Sequence, residues 1–203
     1  MARKYELKRR AEQQAATRRR IVEAAVELHG DIGPARTSIA AIAELAGVER
    51  PTVYRHFPTE ADLFRACSSH SWAEHPAPDP GAWQRIHDPA ERLRVGLREL
   101  YDYYGKHEQR LWNILRDVEE DELVRRFAAE RLAHRERAVD VLSAGWGARG
   151  GQSRRLRAAV AHAVDYYAWR SLRRQGLSNK EAADLMAMLA HAAAGTKDVS
   201  ERP

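Results

Sequence analysis

The sequence predicts an all-α fold. Apolar residues recur at helical spacing along nearly all of its 203 residues, and no alternating, strand-like run persists. Capping signatures punctuate the chain at Ser38, Thr59, Asp88 and Ser178, and glycine- or proline-rich stretches separate the periodic segments.

The elements follow in order. Residues 18–29 form a first helix with Ile21, Ala25 and Leu28 on one face. Gly30, Gly33 and Pro34 break it. Ser38 caps a second helix, whose Ile39, Ile42, Ala43 and Ala46 share a face, and Gly47 ends it. Val48 restarts the apolar pattern, and Pro51 suits the first turn of a third helix. Thr59 and Asp62 open a fourth helix through Leu63, Phe64 and Cys67. His75 to Gly81 reads HPAPDPG, a run too rich in proline for a regular element, and marks a linker over 75–87.

Asp88-Pro89-Ala90-Glu91 then starts a helix with Leu93, Leu97, Leu100, Tyr101 and Tyr104 on one stripe. Leu111, Leu115 and Val118 mark another. Leu123, Phe127, Ala138 and Leu142 predict one long helix, ended by the glycines of 145–151. Leu156, Val160, Ala163, Tyr167 and Ser171 predict a single helix at near-heptad spacing. Ser178 and Glu181 cap a last one through Leu185, Met186, Leu189 and Ala193.

The second and third helices, joined by a short glycine turn, read as a helix-turn-helix, whose second helix enters the DNA major groove. That helix is built for contact. Arg50, Pro51, Thr52, Tyr54, Arg55 and His56 crowd into it, and only Val53 and Phe57 are apolar anchors. Arginine and threonine can address base edges, and tyrosine and histidine can donate to phosphates. With Ser38 at the start of the second helix, these six are the candidate DNA-binding residues.

Here the chain resembles the TetR family of transcriptional regulators. The resemblance rests on Thr37-Ser38, Ile42-Ala43, Ala46-Gly47-Val48, Thr52-Val53-Tyr54-Arg55-His56-Phe57 and Leu63-Phe64, and covers residues 18–66. It implies a basic arm (1–17), a helix-turn-helix domain (18–74), a larger helical ligand-binding and dimerisation domain (88–195) and a tail (196–203). It further implies a dimeric, ligand-responsive repressor released from an inverted-repeat operator by a small molecule. The last two long helices would pair with their twins in a homodimer. Unlike many members, the chain has Ile39, Ala40 and Ala41 early in the first motif helix, so specificity should rest on Arg50, Thr52 and the arm.

Charge supports a nucleic-acid partner. The net charge is +5, yet residues 1–20 carry eight basic residues against Glu6 and Glu12, a balance of +6, so the rest sums to −1. The single cysteine, Cys67, excludes an intramolecular disulfide and fits a reducing, cytoplasmic setting. The first twenty residues lack an apolar core like that of a secretory signal, and no apolar run reaches membrane-spanning length.

The competing class, a helical enzyme or binding module, finds no support. Gly145 to Gly150 fits GxGxxG, but the fingerprint needs a preceding strand, and the sequence before it is helical. His107-Glu108 opens like a zinc-protease helix, but Leu111 stands at the second histidine position. No catalytic set, metal site or cofactor is predicted. Tyr101, Tyr104, Trp112, Tyr166 and Trp169, on inward stripes of the second domain, are candidates for lining an effector pocket.

Overall fold

The computed structural model describes residues 2–195, and every regular element among them is helical. The expected tail, 196–203, lies outside the described residues. The chain divides into two compact units. One comprises residues 1–76 and 108–129, the other 77–107 and 130–203. The boundaries expected from sequence differ from this division at 108–129, which belong with the helix-turn-helix.

The first unit is built on α1 (Ala2–Asp31), followed by a 3-10 turn (Pro34–Arg36), α2 (Ile39–Leu45), α3 (Arg50–His56), α4 (Glu60–Glu74), α7 (Glu108–Glu120) and α8 (Glu122–Phe127). The helix begins at Ala2 and not at Arg18, so the expected arm is helical. Its first half has no apolar face to announce it. It is instead a run of Ala, Arg, Lys, Glu and Gln without a breaker, a composition with high intrinsic helix propensity. The second half buries Ile21, Val22, Ala24, Ala25 and Val26 against Ile42, Ala43, Val53, Phe57, Leu63 and Cys67. Thr59 and Asp62 complete the predicted capping box of α4.

A buried polar clamp closes the end of α1. The Asn113 amide on α7 donates to the Gly30 and Asp31 carbonyls, each at 2.8 Å. The Asp117 carboxylate, 1% exposed, accepts from the Ala35 N–H at 2.9 Å and from Arg116 at 2.7 Å. Arg116 in turn reaches the Ile32 carbonyl at 3.0 Å. Gly33 has φ 99°, and any Cβ there would run into the Arg116 and Asp117 side chains. Asparagine, aspartate and arginine thus serve backbone groups that the end of a helix leaves unpaired.

The second unit contains α5 (Pro80–Trp83), α6 (Pro89–Lys106), α9 (Ala129–Ser143), α10 (Gly151–Ala163), α11 (Tyr166–Arg174) and α12 (Asn179–Ala193). The HPAPDPG run is not free of regular structure. Asp79 caps α5 by accepting from Gly81 N–H at 2.9 Å, Pro80 sits in the first turn, and Trp83 is buried with its indole N–H on Glu99. Gly96 lets α6 approach α9 closely, since a Cβ there would collide with Leu142. Ala182, Ala183 and Ala190, all fully buried, are the small residues through which α12 packs on α6 and α10.

Two expected helices are each broken in two. The segment 123–142 divides at Ala128, where α8 ends and α9 begins. The near-heptad segment through Ser171 divides at Val164-Asp165. The Asp165 carboxylate takes the N–H groups of Tyr167 and Ala168. In a continuous helix these would bond the carbonyls of Ala163 and Val164. Those carbonyls instead accept from the hydroxyls of Tyr101, at 2.8 Å, and Tyr104, at 2.7 Å. These four backbone groups, freed by the break, each have a side-chain partner.

Two stability predictions follow from these contacts. Tyr101→Phe strands the buried Ala163 carbonyl and should cost about 1–3 kcal/mol in urea unfolding. His29 is buried against Phe64, and burial, with a smaller contribution from Arg110, depresses its pKa from 6.5 to about 4. The unfolded chain therefore binds the extra proton between those values. Stability from this group is complete above pH 6.5 and falls as pH drops toward 4, by roughly 3 kcal/mol in all. His29→Phe, which keeps the stack, should flatten the difference in unfolding midpoint across that window. An unchanged pH profile would contradict the assignment.

Candidate nucleic-acid interface

The geometry of α3 follows from its two inward side chains. Val53 and Phe57, 1% and 2% exposed, lie four residues apart and face the core. A seven-residue helix is unstable alone, so packing must hold it. Burying a valine and a phenylalanine contributes about 1.5–3 kcal/mol each. With that face committed, Arg50 and Tyr54, and Pro51 and Arg55, form two exposed pairs four residues apart on the outer side. Thr52 and His56 are half-buried at its margins, and the Thr52 hydroxyl accepts from the Arg55 guanidinium at 3.3 Å.

The turn before α3 is tight. Gly47 adopts φ 63°, the left-handed conformation that favours glycine, and Val48 N–H reaches the Ala43 carbonyl at 2.9 Å. Ser38 caps α2, its hydroxyl oxygen accepting from Ala41 N–H at 3.1 Å. Ile39, Ala40 and Ala41 follow it, so α2 offers little polar chemistry.

Sequence reasoning missed how α1 brackets α3. The Arg18 guanidinium donates to the His56 carbonyl at 3.1 Å and lies 4.0 Å over the Phe57 ring. The Arg20 guanidinium stands over Gly47, where a Cβ would be 3.7 Å from its nearest nitrogen. Neither contact has a periodic signal, because the partners are far apart in sequence. Burial, then Arg55 and Arg18, hold the His56 pKa below its usual value.

The five aromatics singled out in the sequence do not share one unit. Trp112 lies on α7 in the first. In the second, Tyr104 packs 5.7 Å from both Tyr166 and Trp169, and Tyr101 adjoins it at 6.2 Å. Trp169 donates to the Asn179 side chain at 3.1 Å. With their protons on the carbonyls of the helix break, Tyr101 and Tyr104 are structural donors.

The model of the bacterial regulatory proteins, tetR family, matches residues 21–67, the segment from the first buried residue of α1 to Cys67. Over that segment the chain is similar to the tetR family. The curated relatives include the HTH-type transcriptional regulator TtgR of Pseudomonas putida, 42% identical over 98 residues, which are 47% of this chain and 46% of TtgR. The chain thus spans about half the length of the curated relatives it matches. A TetR-like transcriptional regulator from Rhodococcus sp. RHA1 superposes with a TM-score of 0.61 at 24% identity, over 89% of this chain and 97% of that one. NalD of Pseudomonas aeruginosa, the secondary repressor of a multidrug efflux pump, gives 0.59 at 22%, over 90% and 97%. These structures share the fold: an amino-terminal helix-turn-helix followed by a larger helical region. No helix among the described residues is long and apolar enough to cross a membrane.

The expected division of the outer face of α3 into base-reading and phosphate-binding side chains is testable. Arg50→Ala should cost about 1–3 kcal/mol on the preferred duplex and relax choice at one position. Tyr54→Phe should weaken preferred and scrambled duplexes alike. A change in base preference for Tyr54→Phe, measured by competition among single-base variants, would overturn that division.

Proposed function

We propose that this chain is a homodimeric transcriptional repressor that binds an inverted-repeat operator and is released by a small molecule. The observation that carries the reading is the outer face of α3: Arg50, Tyr54 and Arg55 exposed, and Val53 and Phe57 buried behind them. In this reading Arg50 and Thr52 address base edges, while Tyr54 and His56 take phosphates. Ser38, Pro51 and Arg55 border the same surface. The basic first half of α1 adds sequence-independent attraction to the duplex, and a DNA partner implies a cytoplasmic location.

Dimerisation through the last two long helices draws support from α12, which leaves Met188 60% and Leu189 49% exposed beside its buried alanines. Release by a small molecule draws support from the resemblance of residues 21–67 to the tetR family and from NalD, a repressor of an efflux pump. In the second unit Tyr166 and Trp169 are the aromatic surfaces such a molecule would meet, on a frame fixed by Tyr101 and Tyr104.

Selection from random DNA tests the reading. The retained sequences should share an inverted repeat whose half-site centres are about 34–36 Å apart, or a multiple of that. A single asymmetric site bound tightly by a monomer would contradict it. Deleting residues 1–17 should lower the salt slope of binding by several units, at about 0.9 per phosphate, without altering the oligomeric state. An unchanged slope would remove α1 from the interface.

A further inference from the structure

An open cleft of about 500 Å3 lies behind α3 in the first unit, lined by Arg18, His56, Phe57, Asp62, Arg65 and Ser69 among others. Its walls come from α1, the end of α3 and the first turns of α4. Arg18 is fixed there twice, by the hydrogen bond to the His56 carbonyl and by its stack on Phe57. One of its five donors serves that carbonyl, and the side chain is exposed along the cleft. Arg65 enters from α4 and pairs with Asp62 at 3.3 Å.

Asp62 is the one carboxylate in the lining, and it is already engaged. Its oxygens accept from the Thr59 hydroxyl at 2.7 Å and from the Thr59 N–H at 3.3 Å, completing the capping box of α4. The lining thus holds two guanidinium groups against one carboxylate that a helix cap and Arg65 share. An anion with several acceptor oxygens suits such a site, and a backbone phosphate is the anion that arginine meets most often in nucleic acids. The cleft adjoins the carboxyl end of α3, so a strand whose bases lie along that helix brings its backbone to this edge.

We propose that the cleft is a backbone-phosphate subsite in which Arg18 and Arg65 hold one phosphodiester of each operator half-site. The inference rests on the DNA-binding reading and adds two contacts outside the recognition helix. Because Arg18 also binds the last carbonyl of α3, it is a positioning residue as well. Seating the phosphate on Arg18 fixes the pose of α3, so a sequence-independent contact controls how accurately bases are read.

The test compares wild type, Arg65→Ala, Arg18→Ala and Arg18→Lys on the selected operator and a scrambled duplex across a salt series, with circular dichroism melts to show that each variant is folded. Arg65→Ala should weaken both duplexes by one common factor and reduce the salt slope by about 1.8, the value for one phosphate per protomer of the dimer. Arg18→Lys keeps the charge but loses the planar stack, so it should retain the slope while narrowing the gap between operator and scrambled duplex. Arg18→Ala should lose both. A scan of methylphosphonates placed symmetrically in both half-sites should find one position per half-site where wild type falls to the level of Arg65→Ala and that variant is insensitive.

Inorganic phosphate added at constant ionic strength should leave wild-type affinity unchanged. Competition by phosphate that disappears in Arg65→Ala would assign the cleft to a free anion and overturn the duplex subsite. Wild type that binds DNA, with unchanged slopes in Arg65→Ala and Arg18→Ala and no responsive methylphosphonate, would overturn the subsite alone. Wild type that binds no duplex would overturn the DNA-binding reading itself.

Discussion

The first unit depends on how little holds α3. Seven residues cannot sustain a helix in water, and only Val53 and Phe57 anchor this one. Its position is therefore set by what those two side chains meet, namely the buried stripe of α1 around Ile21 and Ala25 and the paired face of α2 at Ile42 and Ala43. The economy has a functional consequence. A helix that commits only Val53 to packing, with Phe57 just past its end, leaves its other six side chains, Arg50, Pro51, Thr52, Tyr54, Arg55 and His56, outside the core. Arg18 adds the cap and the stack that two apolar anchors alone do not supply.

Polar groups settle the rest of the architecture where apolar packing is thin. Asn113, Arg116 and Asp117 bind the end of α1 and the turn after it, so α7 belongs to the first unit although it lies far along the chain. In the second unit the break between α10 and α11 persists because Asp165, Tyr101 and Tyr104 serve the Tyr167 and Ala168 N–H groups and the Ala163 and Val164 carbonyls. Arg135 reaches the same break, at the Ala161 carbonyl and the Asp165 carboxylate. In both places an unserved buried group would cost more than the contact itself contributes.

The sequence made legible whatever is local. The caps at Ser38, Thr59, Asp88 and Ser178, the turn at Gly47 and the inward pair Val53 and Phe57 all stand in the structure where spacing places them. Features decided by distant partners were hidden. Periodicity carried the helices through Ala128 and Val164, because the Asp165 cap competes with the ladder only when tyrosines from α6 take the carbonyls. It also missed residues 2–17, where helix propensity acts without an apolar face. Arg18 was visible as charge alone, since its role requires Phe57 and His56 nearby. The assignment of Trp112 to the second domain failed for the same reason: the clamp at Gly30 to Ala35 draws α7 elsewhere.

The most direct test of the central claim is photo-crosslinking from the outer face of α3. A benzophenone amino acid would replace Tyr54 in one protein and Leu132, on α9, in another; both positions are 43% exposed, so solvent access is matched. Illumination of each protein with the selected operator should give a DNA adduct from position 54 only, mapping within a half-site. Equal adducts from both positions, or an adduct from position 132 and none from 54, would contradict the account.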